Sequence, residues 1–136
     1  MKIIVFTFLT FLLSQNPLLA KERRCGWLFN PTPSNWWLID ANDQWVLSLQ
    51  GSHQATGVHI RNFESDEWMY AYPGGSPSYG YGCACLDVIV DYQTKYILSV
   101  ENGFYQKLDV CKTDPHLPPP PFENPSQLKY LSIKEY

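Results

Sequence analysis

The chain has 136 residues, with 10 basic and 13 acidic side chains, a formal charge of −3 and a hydrophobic share of 45%. That length suits one folded domain and excludes two. The acidic balance argues against nucleic acid as a partner: no basic stripe exists to neutralise phosphates, and the nearest thing is the short cluster Lys21, Arg23 and Arg24.

Residues 1–20 read as a secretory signal peptide. Lys2 supplies the positive start, Ile3 to Leu13 is an apolar run of 11 residues, and Leu18 and Ala20 sit at the −3 and −1 positions of a cleavage site before Lys21. The run is shorter than the ~18 residues a membrane-spanning helix needs, so the mature form is expected to carry no span. Without this segment 116 residues remain, and localisation in the periplasm or outside the cell is expected.

Four cysteines follow, Cys25, Cys83, Cys85 and Cys111. An even number in a small exported chain reads as a disulfide framework. On one strand Cys83 and Cys85 would stand ~6.6 Å apart with parallel side chains, a poor geometry for a bond between them. Two pairings stay open: Cys25 with Cys83 and Cys85 with Cys111, or Cys25 with Cys85 and Cys83 with Cys111. The C-x-C spacing fits neither a zinc site nor a C-x-x-C redox pair, and no metal or cofactor is expected.

The mature chain is expected to be all-β, a small antiparallel sheet or partly open barrel stapled by two disulfides over residues 21–114. Trp36 to Gly51 reads as a hairpin around the polar turn Asp40 to Asp43, with Trp45, Leu47 and Leu49 on one face. Glu67 to Pro73 alternates Trp68, Tyr70 and Tyr72 against Met69 and Ala71, and Pro73 to Ser78 follows as a loop. Cys83 to Tyr92 is the strongest strand, pairing through a Gln93–Thr94 turn with Lys95 to Gly103. An unbroken strand over residues 79–91 puts Tyr79, Tyr81, Cys83 and Cys85 on the outer face, and Gly80, Gly82 and Ala84 with Leu86 on the core face. A β-bulge at Gly80 or Gly82 reverses this. No segment shows a helical apolar period. Residues 115–136 form a proline-rich tail, an extended strap or spacer, whose last ten residues either dock as an edge strand or stay loose.

Arg24 to Asp40 ("RCGWLFNPTPSNWWLID"), Tyr79 to Leu86 ("YGYGCACL") and the later cysteine with Asp114 and "LPPP" carry a resemblance. The chain resembles the bacterial exported family known as domain of unknown function 4087. The resemblance implies a compact, exported, β-rich domain and brings no activity with it.

Catalytic signals are thin, and no enzymatic activity is expected. His53 and His59 have no acidic residue at helical spacing, and Ser48 and Ser52 lack a nucleophile elbow. The carboxylate pairs read as turn chemistry (Asp40, Asp43), a charged loop (Asp66, Glu67) and a solvated strand face (Asp87, Asp91). Aromatic content is the stronger signal, with 18 Phe, Trp and Tyr residues after residue 20. Trp36 and Trp37 must point to opposite sides of a strand, so one of them, with Tyr79 and Tyr81 facing outward, makes a candidate binding platform. The leading expectation is a non-catalytic protein-binding module of the cell envelope, inhibitor- or immunity-like. The alternatives are a peptidoglycan or glycan binder using that platform, and a structural envelope component.

Overall fold

The chain forms six strands, β1 (Glu22–Thr32), β2 (Asn35–Ile39), β3 (Gln44–Ser48), β4 (Trp68–Tyr70), β5 (Gly80–Asp91) and β6 (Tyr96–Gln106), followed by one short helix, α1 (Leu108–Lys112), and apolar and polar residues alternate most clearly in β3 and the second half of β5. The computed structural model describes residues 19–71, 76 and 78–122. The segment expected to be a signal peptide, apart from its last two positions, therefore lies outside the described residues. So do much of the 73–78 loop and the tail after Phe122. No helix among the described residues is long and apolar enough to cross a membrane.

The strands form one mixed sheet in the order β1-β2-β3-β6-β5-β4, and β1 also pairs with β5. The sheet thus closes on itself as a ring of five strands, with β4 attached to the first residues of β5. An odd ring cannot alternate direction all the way round. One neighbouring pair must be parallel, and it is β3–β6, through Val46 and Tyr96. The sheet is therefore mixed, and the isolated bridge between Thr56 and Ser99 is parallel as well, within the expected all-β, ring-like arrangement.

Turn chemistry closes the hairpins. Asp40 Oδ1 accepts the amides of Asn42 and Asp43, joining β2 to β3. Asp91 Oδ1 accepts the amides of Gln93 and Thr94, and Lys95 takes a left-handed φ of 62° at the end of the β5–β6 turn.

Both faces of the sheet are covered. Inside the ring lie Leu28, Leu38, Trp45, Leu47, Ala84, Leu86, Val88, Val90 and Ile97. Outside, Trp27, Phe29, Ile39, Tyr81 and Cys83 pack under α1, through Leu108 and Cys111, and under the proline segment, through Leu117 and Phe122. Trp27 Nε1 donates to Pro118 O at 3.0 Å, so this part of the tail is a strap laid on the sheet. Double coverage explains why β1 and β5 are buried almost without interruption over Gly26–Pro31 and Gly80–Ala84.

β5 runs unbroken against β1 from Gly80 to Val88, so Tyr81, Cys83 and Cys85 do share the face opposite Ala84 and Leu86. The register shifts of the β5–β6 ladder fall beside Asp87/Val88 and Ile89/Val90, away from the glycines. The disulfides are Cys25–Cys85 and Cys83–Cys111, the second of the two pairings left open by the sequence.

Candidate functional site

The four aromatic residues singled out from the sequence do not form one surface. Trp36 and Trp37 point to opposite sides of β2: Trp36 packs against the ring interior, while Trp37 lies on the outer side with its ring 5.8 Å from that of Phe29. Tyr79 is half-buried just ahead of β5; its amide donates to Ser76 O and its carbonyl accepts the Ala71 amide. Tyr81 faces outward from the sheet as expected, but its side chain is not on the surface. It is 3% exposed, in edge contact with Trp27 at 5.4 Å and near Phe122 at 6.5 Å. The strap covers the outer face at that point, so Tyr81 is core and the platform containing it is corrected.

Trp36 instead belongs to a cleft of about 490 Å³ that the sequence did not assemble. Its lining is Trp36, Ile60, Arg61, Asn62, Phe63, Trp68, Tyr70 and Ser78. β2 delivers Trp36, β4 delivers Trp68 and Tyr70 on one face by strand alternation, and the irregular segment before β4 delivers residues 60–63. The Phe63 and Trp68 rings stack at 4.4 Å and 23°, and Trp36 lies 6.0 Å from Trp68. Phe63 also meets Tyr105 edge-on at 4.7 Å, which ties the cleft wall to β6.

Glycine positions the central strand beneath this wall. A Cβ on Gly82 would stand 3.0 Å from the Trp68 ring and 2.9 Å from Glu67 O. One on Gly80 would stand 2.0 Å from Met69 O and 2.9 Å from Trp68 Nε1. The "YGYG" stretch is thus what lets β4 and the Trp68 indole lie directly on β5.

The charge at the cleft is balanced. Arg61 bonds both carboxylate oxygens of Glu67, each at 2.9 Å, and its guanidinium sits 4.6 Å over the Tyr105 ring. The Arg61 bond holds the Glu67 carboxyl below its ordinary range, and Glu67 in return raises the Arg61 pKa. Burial pushes the Tyr105 phenol up, and its hydroxyl donates to His59 O at 3.1 Å. Asn62 adds a carboxamide side chain to the lining, and its backbone carbonyl accepts from Arg61 Nη1.

A second cavity of about 250 Å³ lies beside Gly57–Ile60, floored by Leu28, Leu47, Leu86 and Val100. Its floor is the ring's own aliphatic core, and its rim carries His59, Glu101 and Asn102. Among the described residues Tyr105 is the single Phe, Trp or Tyr ring in its lining, against four in the aromatic cleft.

The remaining candidates are occupied structurally. All four cysteines are in disulfides. His53 stacks on Tyr96 at 4.4 Å, with Nε2 at 2.8 Å from Ile97 O. Asp40 caps its turn, Asp66 pairs with Lys107, and Asp87 pairs with Arg23.

Sequence reasoning found Trp36 but not its partners. Trp68 and Tyr70 were legible as one face of a strand, and nothing in the sequence placed that face opposite Trp36. Phe63 sits in the irregular stretch between Gly57 and β4, where no periodicity marks a side chain as inward.

No curated protein and no solved structure matches the chain. Residues 19–118 match the family described as "Protein of unknown function (DUF4087)", a span running from just ahead of β1 to the first part of the strap, and the chain belongs to that family.

Proposed function

We propose that this domain is a non-catalytic saccharide binder that works in an oxidising compartment after export. The observation that carries the reading is the aromatic cleft: Trp36, Phe63, Trp68 and Tyr70 around about 490 Å³, with the polar groups of Asn62, Arg61 and Ser78 at its margin. Aromatic faces stack on the C–H faces of sugar rings, and a few polar groups at the edge fix orientation. Two disulfides are compatible with an oxidising location, and the N-terminal signal pattern supports export.

The protein-binding reading rests on a different observation, the outward-facing apolar side chains Met69, Phe104 and Val110, exposed at 41%, 45% and 48%. They sit on β4, β6 and α1 respectively, and none of them lines the aromatic cleft. The saccharide reading is preferred because its residues converge.

The test is retention of the oxidised protein on insoluble cell-wall glycan, with Trp fluorescence titration against soluble oligosaccharides. Trp36→Ala and Tyr70→Ala should each abolish retention while leaving the far-ultraviolet circular dichroism unchanged. Absence of binding to every glycan at millimolar concentration, with a single envelope protein captured instead, would transfer the assignment to protein binding.

A further inference from the structure

Trp68 Nε1 and Asn30 Oδ1 are buried side-chain atoms with no hydrogen-bond partner among the described residues. Their residues are 7% and 3% exposed. Both border the same backbone position. Asn30 is the cross-strand partner of Gly80 from β1, and Trp68 Nε1 lies against Gly80 from the β4 side. One is a donor and the other an acceptor. Unsatisfied buried polar atoms are exceptions in native proteins, and each needs an explanation.

Trp68 is also a wall of the aromatic cleft, stacked on Phe63. The carbonyl of Ser78, another lining residue, accepts the Asn30 amide at 2.8 Å. The unpaired donor therefore belongs to a wall of the cleft, and the unpaired acceptor stands just behind the lining, one hydrogen bond removed from it through Ser78. Arg61, the cation at the cleft, already faces Glu67, so a carboxylate or phosphate finds no free counter-charge there.

A ligand group that suits this arrangement is uncharged. It offers an acceptor to the indole N–H, a donor to the Asn30 carboxamide oxygen and an apolar surface to the rings. A secondary acetamide has all three: a carbonyl, an N–H and a methyl group. A plain sugar hydroxyl lacks the apolar part, and a free amine brings a positive charge. Building on the saccharide reading, we propose that the cleft selects N-acetylated, otherwise neutral hexosamine units. The indole N–H is covered in the free protein, so binding moves a wall of the cleft. Tyr70, 59% exposed on the three-residue strand β4, is the least packed of the aromatic walls.

The test compares three ligands on the intact oxidised protein, labelled with nitrogen-15: the trisaccharide of N-acetylglucosamine, the same trisaccharide deacetylated, and cellotriose. The indole N–H resonances are followed by nuclear magnetic resonance, with Trp36→Phe and Trp45→Phe variants helping to assign that of Trp68. The expected result is at least tenfold tighter binding of the acetylated trisaccharide, accompanied by a shift of the Trp68 indole resonance that cellotriose does not produce. Equal affinity for cellotriose, or a preference for the deacetylated sugar, overturns the acetamide selection while leaving saccharide binding standing. Absence of binding by all three overturns both. Because the comparison is between ligands on one protein, it does not depend on a variant that fails to fold.

Discussion

Cys25 and Cys85 stand directly opposite each other in the β1–β5 ladder, with Cα atoms 4.0 Å apart, and are bridged there. The bond therefore joins strands that hydrogen bonding already holds together. Cys83–Cys111 acts differently, fastening α1, and with it the strap, to the outer face of β5. In the chain-entropy description, loops of 60 and 28 residues each contribute about 4 kcal/mol. The two removals should nevertheless differ in kind. A Cys83→Ser/Cys111→Ser double variant should expose the Lys112 peptide bond to trypsin under native conditions. Cys25→Ser/Cys85→Ser should lower the melting temperature without doing so. Equal cleavage rates in the two variants would contradict this division of labour.

Asp40 should be among the costliest single positions in the chain. Its Oδ2 accepts Arg24 Nη1 at 2.5 Å and Trp45 Nε1 at 3.0 Å, while Oδ1 caps the β2–β3 turn. Arg24 also lies 3.8 Å over the Trp45 ring. Asp40→Ala leaves a largely buried guanidinium without its partner and is expected to cost about 3–5 kcal/mol in urea unfolding. A loss under ~1 kcal/mol would mean that Glu22 alone neutralises Arg24.

Gly26, the middle residue of the "CGW" stretch, is expected to reject even one methyl group. A Cβ there would lie 2.0 Å from Ile39 O and 2.9 Å from Asp40 Cα. Gly26→Ala must push β2 away from β1, at a cost of about 3 kcal/mol, the upper part of the usual range for overpacking. Thermal melts would show it, and a native-like melting temperature would mean that β2 yields without loss.

The acid response should be modest and sensitive to salt. Asp43, Glu67 and Asp87 are held below the ordinary carboxylate range by Lys95, Arg61 and Arg23 respectively. A depressed folded-state pKa contributes stability that is present above the unfolded value, ~4, and lost as pH falls through the folded value. The melting temperature should therefore decline from about pH 4 downward. The decline should shrink in 1 M salt because the cationic partners Lys95, Arg61 and Arg23 stand largely in solvent. Glu67→Gln should flatten part of it, and an unchanged profile in that variant would remove the Arg61 pair from the account.

The strands from Trp36 to Ser48 and from Cys83 onward were legible because their inner and outer residues differ in polarity. The turns at Asp40 and Asp91 were legible because carboxylates cap amides. Legibility ended where both faces are buried. Tyr81 was assigned to the surface because alternation tells which side a residue faces and not whether that side is covered. The cover consists of Leu117, Pro118, Pro121 and Phe122, in a segment whose composition suggests only extension. The cleft was illegible for a related reason: Trp36, Phe63 and Trp68 are brought together by ring closure, and local pattern carries no information about which edges meet.

Ring closure also orders events in time. β1 can find β2 almost as soon as both exist, since few residues separate them. Its other edge has to wait for β5, whose paired residues lie some 60 positions further along the chain. Until then β1 exposes an unpaired edge flanked by Trp27 and Phe29, which is the arrangement that recruits strands from other molecules. The cysteine at position 25 lies on that same waiting edge. Its bond to Cys85 locks the pairing with the largest loop-closure entropy in the ring, so oxidation secures the contact that is entropically costliest to form.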